Sequence, residues 1–203
     1  MSKRFLYCLV GLTVVVGLST TALGEQFYKG KTLRFVVGFS PGGGYDTYTR
    51  AVARHIGKYI PGHPTPIVQN MTGAGSLIAA HYMSKRAKPD GLTIGVWNGA
   101  IILRSVLGDR AIKFKPDSFG WIGTPSVGLP GCAIMGFTGL RTLEDILKSK
   151  KRIKMGSTRS GTTLALPKIL NKTLGTKFEV ITGYSGTSTV RIAMQKREVD
   201  GAC

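Results

Sequence analysis

The run TLRFVVG (residues 32–38) passes straight into FSPGGGYDTYTR (residues 39–50), so a serine, a proline and three successive glycines stand between two regular-looking segments. The first segment is a short apolar run of the kind that fills a buried strand, and the second reads as a helix. Glycine placed at such a handover serves one of two ends. It permits a tight turn, or it lets something come close to the backbone.

Outward from this junction the same alternation repeats. PIVQN precedes a helical stretch over residues 76–85, and LTIGVW precedes a short helix near residues 101–107. The second half runs GCAIMGF, TLEDILKS, RIKMGS, LALPKILNKTLG, FEVITGY, STVRIAMQK and EVDGAC. Apolar strands alternating with amphipathic helices predict an α/β chain with a mainly parallel sheet covered on both faces. In such sheets ligands bind beyond the carboxyl ends of the strands.

Turn chemistry gathers at those ends. The loops are Ser40-Pro41-Gly42-Gly43-Gly44, Thr72-Gly73-Ala74-Gly75-Ser76, and Ser157-Thr158-Arg159-Ser160-Gly161-Thr162-Thr163. Each stands between a strand and a helix and offers small residues, hydroxyls or main-chain N–H groups. Helix N-termini with free N–H groups suit a carboxylate or phosphate. Any one of these loops alone is explained as a turn; three in equivalent places point to a shared anion site.

Lys3 and Arg4 precede an apolar stretch over residues 5–18, and STTALG then brings Ala22 and Gly24 before Glu25. This is the pattern of a secretory signal peptide over residues 1–24, cleaved before Glu25. The apolar stretch is short for a membrane span. The chain carries 28 Lys plus Arg against 10 Asp plus Glu, a net charge of +18. For an exported protein that charge suggests an anionic ligand, anionic surfaces or solubility rather than nucleic acid. The run KSKKRIK (residues 148–154) has no interleaved aromatic residues for stacking on bases and reads as a solvated face. Beyond the signal, Cys132 and Cys203 match no metal or CxxC spacing. An exported compartment permits them to pair, but the spacing does not say whether they do.

Sharper chemistry fails on inspection. Residues 38–42, GFSPG, match the G-x-S-x-G nucleophile elbow, whose oxyanion hole uses the N–H after the serine. Here Pro41 follows, and it has no N–H. The histidines are His55, His63 and His81, so none lies downstream to complete a triad. The segment from Gly73 departs from a dinucleotide fingerprint at Ile78, and no P-loop or zinc pattern occurs. The expectation is a chain without catalytic activity, cofactor or metal.

The order VVGFSPGGGYDTYTRAVARHI, VQNMTGAGSLIAA, KPDGLTIGVWNG, FKPDSFGWIG, TLEDILKS, GYSGTSTVRIAM, EVDGA resembles the Bug family of periplasmic solute receptors for tripartite tricarboxylate transporters. The resemblance covers roughly residues 33–202 and implies a two-lobed, Venus-flytrap periplasmic binding protein that closes on a small carboxylate. A first lobe would span residues 25–124 and a second, incomplete lobe residues 125–203. The chain stops after an expected second-lobe strand, so the resemblance leads us to expect a form truncated at its C-terminus. The implied partners are a small carboxylate ligand and membrane transporter subunits, with no nucleic acid, and the complete protein would be a monomer in the periplasm.

Carried over by position, the loop of Phe39, Ser40, Pro41, Gly42, Gly43 and Gly44 would hold one carboxylate together with Thr72, Gly73, Ala74, Gly75 and Ser76. Asp46 matches an aspartate of the family's first helical turn, as a ligand contact or as a helix-start residue. Trp97 and Asn98 would line the cleft wall, although Trp97 could equally be core. In the second lobe the site would take in Arg159, Ser160, Gly161 and Thr162. Arg159 and Leu166 stand where the family has more glycine and a following histidine. Arg159 would pair with a second ligand carboxylate or stand exposed. The alternative function is an exported basic protein that binds anionic polymers or surfaces through its charge.

Overall fold

Leu33, Phe35, Val36 and Val37 are all buried in the strand Thr32–Val37 (β1). A strand apolar on both faces belongs in the middle of a parallel sheet with cover above and below, and β1 lies there. In this computed structural model, which describes residues 27–125, 128 and 130–203, the first sheet has Thr65–Asn70 (β2) on one side of β1 and Thr93–Val96 (β3) on the other. Both pairings are parallel, with Phe35 opposite Val68 and Ile94. Pro66 cannot donate to a ladder, and it sits in an edge strand, where that loss is tolerated. The expected signal peptide falls outside the described residues. Among the described residues no helix is long and apolar enough to cross a membrane.

Helix Gly44–Ile56 (α1) lays Asp46, Thr49 and Ala53 toward the interior, a spacing that keeps one face inward. Its apolar members Val52, Ala53 and Ile56 pack with Leu33, Phe35 and Val68. Leu77–Lys85 (α2) and Ala100–Val106 (α3) follow β2 and β3, and Leu77, Ala80 and Ile101 form a second core with Trp97, Ile112 and Phe114.

The second sheet has four strands, Ala133–Ile134 (β4), Ile153–Ser157 (β5), Phe178–Thr182 (β6) and Gly201–Ala202 (β7), in the order β4-β7-β5-β6. β5 pairs in parallel with β6 and β7, whereas β4 runs antiparallel to β7. Helix Leu143–Lys148 (α4) starts at a capping box between Thr142 and Asp145. Helices Thr162–Leu174 (α5) and Thr187–Gln195 (α6) complete this half. The expected strand over GCAIMGF shrinks to two paired residues, because Gly136–Thr138 turns as a 3-10 segment.

Cys132 and Cys203 form a disulfide that continues the β4–β7 pairing by one step beyond Ala133 and Ala202. Cys203 also packs against the core of Ile153, Met155 and Phe178.

Candidate functional site

β1 and β5 are each flanked by strands reached in opposite directions, so a crevice opens beyond the carboxyl end of each. The loops read from the sequence as anion-binding lie there, and the second strand set brings its loops against the first.

Asp46 organises the loop after β1. Its carboxylate accepts the Gly42 N–H (2.8 Å) and the Arg50 Nε–H (2.9 Å) at Oδ2, and the Asn70 amide (2.9 Å) at Oδ1. The same Asn70 amide donates to the Phe39 carbonyl at 2.8 Å. Burial alone would raise the Asp46 pKa, but the bonds from Arg50, Gly42 and Asn70 outweigh it and hold the carboxyl below its ordinary value. Of the two sequence expectations for Asp46, this geometry is that of a helix-start residue that shapes its own loop. With a folded pKa below the unfolded one, the stability from Asp46 is present above about pH 4 and disappears as pH falls through the folded value. Asp46→Asn should therefore lose about 2 kcal/mol at neutral pH, since a buried donor is left without its acceptor. It should also flatten the acid limb of the stability curve, measured by urea unfolding between about pH 3 and 7. An unchanged acid limb would show that Asp46 does not drive it.

The three glycines of this loop do not present their N–H groups to a ligand. Gly42 donates to Asp46, Gly43 to the Ser40 carbonyl (3.3 Å), and Gly44 to Thr187 Oγ1 (3.1 Å). This corrects the expectation that Gly42, Gly43 and Gly44 hold a carboxylate. What comes close to their backbone is the N-terminus of α6. Ser188 Oγ donates to the Pro41 carbonyl (3.0 Å), so Ser40 Oγ, 3.0 Å away, is the donor to Ser188. The Ser40 N–H reaches the Ser185 carbonyl at 3.3 Å, and a Cβ on Gly186 would fall on the Ser40 side chain. Ser40 is thus buried against serine and carries no histidine or acid, as its rejection as a nucleophile requires.

The loop after β2 differs. Gly73, Ala74, Gly75 and Ser76 take φ values of 132°, 48°, 64° and 72°, a run in the left-handed half of the backbone map. Ala74 and Ser76 carry a Cβ there, at a cost of about 1–2 kcal/mol each. This loop, with Gly38 and Phe39, forms one wall of a cavity of about 120 Å³. The other wall is Thr158, Arg159, Gly183, Tyr184 and Ser185. The main-chain N–H groups of Phe39, Thr72, Gly73, Arg159, Tyr184 and Ser185 donate to no protein acceptor among the described residues. Arg159 is the one charged residue on these walls; it is exposed and forms no hydrogen bond or ion pair with a described residue. The cavity therefore joins unused donors to one positive charge, the pairing that stabilises an anion.

Other expected residues lie beside the cavity. Ser160 Oγ donates to the Gly75 carbonyl across the two halves at 2.9 Å. Asn98 accepts the Ala100 N–H at 2.8 Å, gives its own N–H to Ser76 Oγ at 3.1 Å, and lies against Gly161. Thr162 opens α5. Trp97 joins Phe119 and Trp121 in an aromatic cluster and packs on the Leu77 core, so of its two expected places it takes the core. Gly38, Thr158, Gly183, Tyr184 and Ser185 were not singled out. The last three form a fourth strand-to-helix junction, TGYSGTS after β6, whose small residues match the pattern of the other loops. A larger apolar groove of about 310 Å³ lies beside the start of β6, lined by Cys132, Leu140, Leu170 and Phe178. It is away from the strand ends where ligands bind.

No protein-family profile and no curated protein matches this chain. Solved structures do. The periplasmic binding protein BugD superposes with a TM-score of 0.72 at 22% identity, over 87% of this chain and 59% of that one. An R. palustris protein solved with adipate gives 0.69 at 19% identity, over 85% and 58%. MatC from Rhodopseudomonas palustris with bound malate gives 0.65 at 22% identity, over 86% and 60%. This chain accordingly spans about 59% of the length of BugD. Identities at this level speak for architecture, and in architecture the two-sheet α/β arrangement described above is the fold of the periplasmic binding protein BugD.

Proposed function

We propose that this chain is a periplasmic solute-binding receptor of the Bug kind, which captures a small organic carboxylate and delivers it to a tripartite tricarboxylate-type membrane transporter. The observation that carries this reading is the 120 Å³ cavity between the two strand-end loop sets, with its unused N–H groups and Arg159. Two proteins of the same fold were solved with adipate and with malate, both carboxylates. The proposed site comprises Gly38, Phe39, residues 72–76, Thr158, Arg159 and residues 183–185. Residues 40–44, Asp46, Asn98 and Ser160 hold its walls together, and Trp97 sits in the core behind it. Two lobes, residues 25–124 and 125–203, would part to admit the ligand and meet over it. The receptor binds without transforming its ligand, works as a monomer, and reaches the periplasm by a signal peptide removed before Glu25.

The net charge of +18 supports one second reading, binding to anionic polymers or surfaces. A thermal-shift screen of dicarboxylates, aromatic acids and amino acids at low and high salt separates the two. A receptor should be stabilised by particular small carboxylates, with little change on adding salt. Stabilisation by heparin alone, lost steeply as salt rises, would overturn the receptor reading in favour of the second.

A further inference from the structure

Resting on that reading, we infer that Arg159 is the specificity residue that selects dicarboxylates over monocarboxylates of the same length. Among the described residues lining the cavity it is the one carrying charge, and it has no ion-pair partner to give up when a ligand arrives. It stands on the opposite wall from the left-handed loop at residues 73–76. A ligand with an anionic group at each end would meet unused main-chain donors at one wall and a guanidinium at the other, where two parallel N–H bonds to one carboxylate can form. A monocarboxylate would satisfy one wall and leave Arg159 in solvent. The cavity, about 120 Å³, lies below the roughly 300–1,000 Å³ of pockets for drug-sized ligands, so the dicarboxylate is a short one.

The test is calorimetric titration of the 203-residue chain with succinate and with butyrate, a four-carbon pair that differs in one carboxylate. The unaltered chain should bind succinate at least tenfold more tightly. Arg159→Gln should weaken succinate at least tenfold and leave butyrate within about twofold, while Arg159→Lys, which keeps the charge without the planar fork, should fall between. Circular dichroism checks folding, which an exposed side chain should not disturb. If Arg159→Gln weakens both acids equally, or neither, the selectivity is not set by Arg159, and the receptor reading survives. If the unaltered chain binds neither of these acids nor any carboxylate of the wider screen, the receptor reading falls and this inference with it.

Discussion

Replacing Cys132 or Cys203 with serine, or reducing the bond between them, is expected to lower the folding stability by about 4 kcal/mol. The two cysteines are 71 residues apart in sequence, so their bond removes a large loop-closure entropy from the unfolded chain. It also fastens an element with little else to hold it. β4 contributes two residues to the sheet, paired only with the two residues of β7. Urea unfolding with and without reductant should show the midpoint falling with a similar slope. Equal midpoints would mean that the β4–β7 pairing holds without the bond.

Gly75→Val should reduce carboxylate affinity about a hundredfold, or about 2.7 kcal/mol. Gly75 has φ of 64°, which a β-branched residue adopts only under strain. A Cβ there would also fall on the Ser160 side chain, whose hydroxyl bonds the Gly75 carbonyl across the two halves. The valine would thus distort the left-handed loop and push Thr158 and Arg159 away from it. Gly44→Ala makes the control. No atom lies within 4 Å of a Cβ at Gly44, and its N–H would keep the bond to Thr187, so affinity should stay within about twofold. Titration with the best ligand of the screen measures both. Unchanged affinity in the folded Gly75 variant would remove this loop from the site.

The fold was legible where its cause is local. The unbroken apolar run of β1 announced a central parallel strand, and the inward spacing of α1 announced a helix laid on it. The handover glycines announced a special junction, but their purpose could not be read nearby. Whether the N–H of Gly44 faces a ligand or Thr187 depends on a residue 143 positions away, and Ser40 meets Ser188 across 148. Local patterning carries no information about such distant pairings. The same limit left the cysteine pairing open. The junction at residues 183–185 was a different kind of miss, since its signal was local and matched the loops already chosen.

The left-handed run at residues 73–76 has a consequence for how quickly and how cheaply a ligand is taken up. Ser76 is held by the Asn98 N–H and Gly75 by Ser160, so the loop's shape exists before any ligand contributes to it. A flexible loop would lose conformational entropy on binding, about 1–2 kcal/mol for each backbone residue it ordered. Here that cost belongs to folding, and the contacts a ligand makes pass almost undiminished into its affinity. Loosening substitutions in this loop should therefore leave the bound complex's contacts intact and still weaken it, through the disorder they restore to the free protein.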